Sequence, residues 1–456
     1  MQKLFSPRGT AVIGASEDMR KFGGTVLENT IYSQFKGDIA YVNPKRSVIK
    51  GCKIYPRVQE APFPIDLAII CVPKPFVNES ILDCAAVGVF FVIVQAGGYS
   101  EVSKQGKADE EAMVKIARDH GIRLIGPNCL GIVSTPSRLI LNSSTSMQLV
   151  PLKEGGVSFI SQSGAHAATL YNRGVRDGVR FRHVVSFGNQ ADLEIADFLE
   201  YMVGEPETKV IMLYIEGLKD PRRFIDVARS GYRKGKPIFM VKAGRTVAGA
   251  RAAATHTGSL AMPYNVFATA CRESGIVIFD DELQMGRVAA LYNMYGTPSD
   301  GGICMISPSG GALALASDRI YELGMRLSQF SEETRIRLEE IYNPGFAVNP
   351  LDLANMRINT FLNVKDAGLN YATDDPDVAV TIPVLGTNTD LDVMAKDLAE
   401  PAVKRNKPMI YAVLPGTAGD KARDVVHSLN LLSVDSIDDA LKAIKGWKAP
   451  RKFSEK

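Results

Sequence analysis

Residues 156–165 read Gly156-Val157-Ser158-Phe159-Ile160-Ser161-Gln162-Ser163-Gly164-Ala165, and the fold turns on how they are read. A short apolar run closed by turn residues has the length of a buried strand. It gives way to Ser-Gln-Ser-Gly, and a helical pattern then runs from Ala165 to Arg173. Strand, tight turn and helix in that order open an α/β unit built on a parallel sheet. The turn is also a candidate anion site, because unpaired backbone N–H groups and two hydroxyls meet at the positive end of a helix. Ser161, Gln162, Ser163 and Gly164 are therefore candidate phosphate-binding residues.

The unit continues in step. His183 precedes a strand, Val184 to Phe187, that ends in Gly188-Asn189-Gln190; His166 lies inside the first helix and is expected to pack. The strand Val210 to Ile215 ends on Glu216-Gly217, which leaves a carboxylate at the edge where α/β sheets bind ligands; a solvated turn residue is the plainer alternative. After a helix (Pro221–Arg233) and a strand (Pro237–Val241), Lys242 to Met262 read KAGRTVAGARAAATHTGSLAM, with no hydrophobic periodicity. Long loops without a core are usually functional or disordered. Small residues around His256 leave its ring open to attack or modification.

From Gly302 the pattern restarts. Ile303–Ile306 leads into Ser307-Pro308-Ser309-Gly310-Gly311 and a helix, Ala312 to Leu323. Val378–Pro383 parallels Val210–Ile215, and Lys407–Tyr411 parallels Lys236–Met240, so two copies of one α/β fold are expected. The second copy has no counterpart of Glu216 and no His-bearing loop. The His256 stretch is an addition that the fold does not require.

Upstream, residues 9 to 135 alternate apolar runs with helical stretches and form a separate α/β unit. Its first strand ends in Gly14-Ala15-Ser16, followed by Lys21, at the place where a nucleotide-binding fold carries its phosphate turn. The second strand ends in Asn43-Pro44-Lys45-Arg46. A nicotinamide enzyme would place an acidic residue there. A cationic tip suits a phosphorylated ribose, either of NADP or of coenzyme A. Further strand ends carry Val72-Pro73, Gly97-Gly98 and Gly126-Pro127-Asn128, all on one edge.

The 456 residues carry a net charge of +3, which gives no reason to invoke nucleic acid or a membrane surface. No apolar run approaches membrane-spanning length, and MQKLFSPRGTAVIGAS is no signal peptide. Six scattered cysteines without paired spacing argue for reduced thiols, no metal site and a cytoplasmic protein.

The motifs together resemble the α subunit of the NDP-forming acyl-CoA synthetases (acetate–CoA ligase, ADP-forming), relatives of succinyl-CoA synthetase. The matching pieces are Gly14-Ala15-Ser16, Asn43-Pro44-Lys45, Gly126–Gly131, Ser161–Gly164, Gly188-Asn189, Thr255–Leu260 and Asn349–Leu353, in the family's order. Two departures stand out: Met19-Arg20-Lys21-Phe22-Gly23 replaces Pro-Gly-Lys-x-Gly, and Tyr99 stands where Phe is common.

The resemblance implies a Rossmann-like CoA-binding domain (1–135), a linker (136–155) and two flavodoxin-like doubly wound α/β domains (156–297 and 298–456). It implies coenzyme A at Gly14, Ala15, Ser16, Lys21, Asn43, Lys45, Val72, Pro73, Gly97 and Asn128, a phosphorylated His256, and Glu216 holding its ring. ATP or ADP with Mg2+ would be bound mainly by an ATP-grasp β subunit, in an α2β2 assembly acting on a small carboxylic acid. A CoA-dependent acyltransferase or lyase, an NADP dehydrogenase and a non-catalytic acyl-CoA sensor are the competing classes.

Overall fold

The computed structural model describes residues 1–251, 263–357, 368–386 and 390–449. It contains three sheets. The first has seven strands: β1 (Gly9–Ile13), β2 (Asp38–Val42), β3 (Val48–Ile49), β4 (Cys52–Tyr55), β5 (Leu67–Ile70), β6 (Phe91–Val94) and β7 (Arg123–Ile125). Their order is β3-β4-β2-β1-β5-β6-β7, parallel except for β3 against β4. Strands β1, β5 and β6 are buried along their whole length, the pattern of a sheet covered on both faces. The helix Phe22–Ser33 starts hard against the tip of β1. A Cβ on Gly23 would lie 2.0 Å from the Gly14 carbonyl oxygen, so only glycine allows this approach.

The second sheet joins β8 (Gly131–Ser134), β9 (Leu139–Asn142), β10 (Val157–Ser161), β11 (Phe181–Ser186), β12 (Val210–Ile215), β13 (Ile238–Lys242) and β14 (Ile276–Phe279) in the order β14-β13-β12-β10-β11-β8-β9. Numbered from β10, its parallel core runs 2-1-3-4-5, the flavodoxin-like order. The hairpin β8–β9 adds antiparallel to β11. Residues 139–142 were expected in a linker. They form instead a fully buried strand, hidden in the sequence by the polar segments on either side.

The third sheet comprises β15 (Gly302–Ser307), β16 (Leu351–Asp352), β17 (Val378–Leu385), β18 (Ile410–Val413) and β19 (Leu432–Val434), all parallel in the order β16-β15-β17-β18-β19. This is 2-1-3-4-5 again. The inferred internal repeat is thus a repeat of topology.

Contacts group the chain into two compact units. Residues 1–176 and 180–282 hold the first two sheets; residues 177–179 join the described residues between 283 and 449 around the third. The helix Glu282–Tyr295, expected to close the second copy, belongs almost wholly to the third sheet's unit. There the buried Arg287 bonds Asp177 at 2.8 Å and Asp439 at 2.7 Å, and Tyr292 meets Trp447 edge-on. Among the described residues no helix is long and apolar enough to cross a membrane.

Candidate functional site

At the tip of β10 the chain turns into the helix Gly164–Asp177. Helix geometry leaves the first N–H groups without internal partners. Ser161 is fully buried, and its hydroxyl donates to the Ser163 carbonyl at 2.7 Å. It braces the turn, and it is not among the residues that line the neighbouring cavity. Gln162 has a second duty. Its Oε1 accepts from the backbone N–H groups of Glu216 (2.8 Å) and Gly217 (3.0 Å), which ties the tip of β10 to that of β12. A Cβ on Gly164 would lie 2.5 Å from the Leu130 side chain, so the helix end touches a loop of the first sheet.

These contacts enclose a cavity of about 300 Å³. Its walls are Gln162–Ala165 at the helix end, Glu216–Lys219 after β12, Gly188–Gln190 after β11, and Phe22, Gln95 and Asn128–Leu130 from the first sheet's side. Asn189 pins the two sheets together. Its Nδ2 donates towards Glu101 Oε2 (2.6 Å), Glu110 Oε2 (2.9 Å) and Ser100 Oγ (3.2 Å), and its Oδ1 accepts from Asn128 at 3.3 Å. Burial pushes the Glu101 carboxyl up, but hydrogen bonds from Asn189 and from the Gly98 and Tyr99 amides hold it below its ordinary value. Cys129 lines the same wall. Burial pushes its thiol up to about 12, so it offers no thiolate at neutral pH.

At the edge of the first sheet, Gly14 adopts φ +91° and, with Ala15, donates to the Val42 carbonyl. Asn43 Nδ2 bonds the Ala15 carbonyl at 2.8 Å, while its Oδ1 accepts from the Lys45 amide. Ser16 Oγ accepts from the Asp18 amide at 3.1 Å. Val72 and Pro73 follow β5; a Cβ on Gly14 would meet Val72 Cγ1 at 2.9 Å. Gly97 lies against Glu101 and Asn128, where its Cβ would approach Glu101 Oε1 to 3.1 Å. Lys21 and Lys45 are exposed, whereas Arg46 is paired with Glu17 at 2.8 Å. Among the described residues the cationic tip therefore presents one cation without a side-chain partner, Lys45, rather than two. Of the ten expected cofactor-binding residues, Asn128 alone also lines the cavity.

Comparison with known proteins fits this architecture. Residues 8–135 match the family described as a CoA binding domain, and residues 154–292 match the succinyl-CoA ligase like flavodoxin domain. The α subunit of acetate–CoA ligase (ADP-forming) II from Pyrococcus furiosus is 34% identical over 452 residues, which cover 96% of this chain and 95% of the relative. The chain belongs to the family of ADP-forming acetate–CoA ligase α subunits.

A second α subunit of this ligase family, enzyme I of Pyrococcus furiosus, is 32% identical, with 99% of each chain covered. A solved acetyl-coenzyme A synthetase of Ca. Korarchaeum cryptofilum, described in complex with phosphate and ADP, superimposes with a TM-score of 0.83 at 30% identity, covering 99% of this chain and 97% of that one. Acetate–CoA ligase I of Archaeoglobus fulgidus, at 32% identity, is matched over 100% of this chain and 64% of its own length. Membership makes this chain one of a family of acid–thiol ligases.

Against that background, the expected phosphohistidine, His256, lies outside the described residues. The last residue of β13, Lys242, donates from Nζ to the Glu216 carbonyl at 2.8 Å, and residues 247–251 further on are helical. Glu216 stands in the cavity wall. The other histidines are placed. His183 sits within β11, buried and bonded to Glu205 at 3.1 Å, and His120 caps a helix end. His427 bonds Ser433 Oγ at 2.8 Å.

His166 packs as expected and also makes an ion-pair contact. It stacks on Tyr214 with ring centroids 4.3 Å apart, and its Nδ1 meets Glu282 Oε2 at 2.7 Å. The Glu282 hydrogen bond raises its pKa against the opposing effect of burial, with the charges of Glu282 and Glu216 adding to the rise. Sequence reasoning missed this pair, along with Asn189, Gln95 and Lys219.

Proposed function

We propose that this chain is the CoA-binding, phosphohistidine-carrying subunit of an NDP-forming acyl-CoA synthetase. The observation that carries the reading is the shared cavity. A helix N-terminus suited to phosphate, the Glu216 carboxylate and a loop of the CoA-binding domain's sheet face one space.

The chemistry proceeds in three displacements. A ring nitrogen of His256 takes the terminal phosphoryl group of ATP, forming an N–P bond as the bond to ADP breaks. Glu216 holds the other ring nitrogen, fixing the tautomer and stabilising the charge that develops. The substrate carboxylate then attacks phosphorus and releases the imidazole, and the acyl phosphate rests against Ser163, Gly164 and Ala165. Finally the CoA thiolate attacks the acyl carbon and phosphate departs. Each step is reversible. CoA lies along the edge made by Gly14, Ala15, Ser16, Lys21, Asn43, Lys45, Val72, Pro73, Gly97 and Asn128.

Nucleotide and its Mg2+ belong mainly to an ATP-grasp β subunit, in an α2β2 assembly. The names of the relatives support a separate partner, since two of them are themselves α subunits.

Incubation with γ-labelled ATP and a β subunit tests the assignment. The label on this chain should be lost in acid and survive alkali. His256→Ala should abolish it while CoA binding persists, and Glu216→Gln should slow labelling by roughly 10²–10⁴-fold. Acid-labile label on His256→Ala at the wild-type rate would refute the phosphohistidine.

A further inference from the structure

One basic residue in the lining of this cavity, which also borders a second pocket beside Lys107 and Glu110, has no role in the steps above. Lys219 lies three residues beyond Glu216 and lines the same walls as Ser163 and Gly164. It is the one basic side chain in the lining, and among the described residues it makes no hydrogen bond or ion pair. Several other cations of this unit are committed: Lys74 to Asp109 (2.6 Å), Lys242 to the Glu216 carbonyl (2.8 Å), and Arg118 and Arg123 to Asp192.

The backbone around Lys219 is held on both sides. Upstream, Gln162 fixes the Glu216 and Gly217 amides. Downstream, the Asp220 amide donates to Glu194 at 3.2 Å, and Asp220 Oδ1 caps the helix Pro221–Arg233 through the Arg223 amide at 3.0 Å. The side chain thus springs from a fixed point beside the anion turn. Crowding by protein lowers its pKa; Glu110 and Glu194 act in the opposite sense, and Lys107 and Arg118 reinforce the lowering. An ammonium that protein has partly stripped of water, with no anion in contact, gains most when an anion arrives.

We propose that Lys219 is the counter-charge of the transferred phosphoryl group: its ammonium holds the phosphate oxygens of the acyl phosphate, or of inorganic phosphate in the reverse direction, against the helix end at Ser163–Ala165. The proposal rests on the function proposed above. A phosphoryl group brings close to two negative charges into a space that already contains Glu216. The helix terminus supplies only about half a positive charge, so a full cation is needed nearby. The ligand class is a phosphorylated carboxylic acid or free phosphate. The phosphates of CoA are the other source of the same chemistry.

The test titrates the full-length chain calorimetrically with inorganic phosphate and, separately, with CoA, for wild type, Lys219→Met and Lys219→Arg. Phosphate affinity should fall roughly 10- to 100-fold in Lys219→Met, the loss of one charged hydrogen bond, and recover most of the way in Lys219→Arg. CoA affinity should not change in either. Unchanged phosphate affinity in Lys219→Met overturns the assignment, as does weakened CoA binding or a wild type that takes no phosphate. Should Lys219→Met fail to fold, Lys219→Gln carries the same comparison. A wild type that binds phosphate but no CoA would instead sink the functional reading and leave Lys219 standing.

Discussion

The turn Ser161–Gly164 and the turn Ser307–Gly310 occupy the same place in two sheets of the same topology, yet their surroundings differ. In the second sheet Ser161 pairs in register with Ser186, a buried hydroxyl that accepts from the Leu130 amide at 3.1 Å. In the third, Ser307 pairs with Asp352. The Asp352 carboxylate lies 3.0 Å from where a Cβ on Gly310 would stand, at the N-terminus of the helix Gly310–Glu322. It also accepts from the Ala354 amide and the Asn355 side chain. A fixed carboxylate thus fills the place that a phosphate would take. The strands two places along differ likewise: β12 runs into Glu216, β17 into Gly386. Topology duplicates the cradle, and single residues at matching register decide whether it is open.

Carrying that residue across should have the largest effect. Ser186→Asp would reproduce the third sheet's arrangement in the second. Phosphate-dependent cleavage of acyl-CoA by the assembled enzyme should fall by roughly 10²–10³-fold, the scale of losing oxyanion stabilisation. Rates corrected for folded protein check it, because an unpaired buried carboxylate also destabilises. The reciprocal Asp352→Ser should leave that rate within about twofold, since the third copy lacks Glu216's counterpart.

Gln162→Leu sharpens the comparison at the brace between turn and carboxylate. Two buried amides would lose their acceptor, so chemical denaturation should register a loss of about 1–3 kcal/mol. The kcat should fall further than the KM for CoA rises, because Glu216 loses its fixed position. A change confined to stability would show that the brace is structural only.

The smallest effect concerns pH. His166 follows the open turn, and Ala312 stands at the matching place in the third copy. The folded pKa of His166 is raised, so its protonated form is favoured by folding. Its contribution is complete below the unfolded value of 6.5 and is lost as pH rises through the folded value. Thermal melts from pH 6 to 9 should therefore show a modest decline that His166→Gln flattens. With the His166 side chain 43% exposed, solvent and salt will keep the effect small. An undiminished decline in the variant would move its origin elsewhere.

What the chain declares by itself is local. Each strand that decided the fold is a short apolar run closed by Gly, Ser, Pro or Asn. The strands β1, β10, β12, β13 and β15, the two Ser-x-Ser-Gly turns and the duplicated α/β pattern could therefore all be read from composition and period. The strand ends of the first sheet were legible for the same reason, since their Gly, Pro and Asn residues announce themselves. Strand order and register were not, because they are settled by packing between segments far apart in the chain. Asp352 was visible as part of Asn349-Pro350-Leu351-Asp352-Leu353, but only its pairing with Ser307 reveals that it closes a helix end. His166 and Glu282 are 116 residues apart, and Asn189 and Glu101 are 88 apart. Leu139–Asn142 looked like linker because its flanks are polar, and it became a buried strand because β8 and the helix Phe22–Ser33 cover it. Burial periodicity records what each segment needs from its surroundings; which distant side chain meets that need is decided only when the sheets assemble.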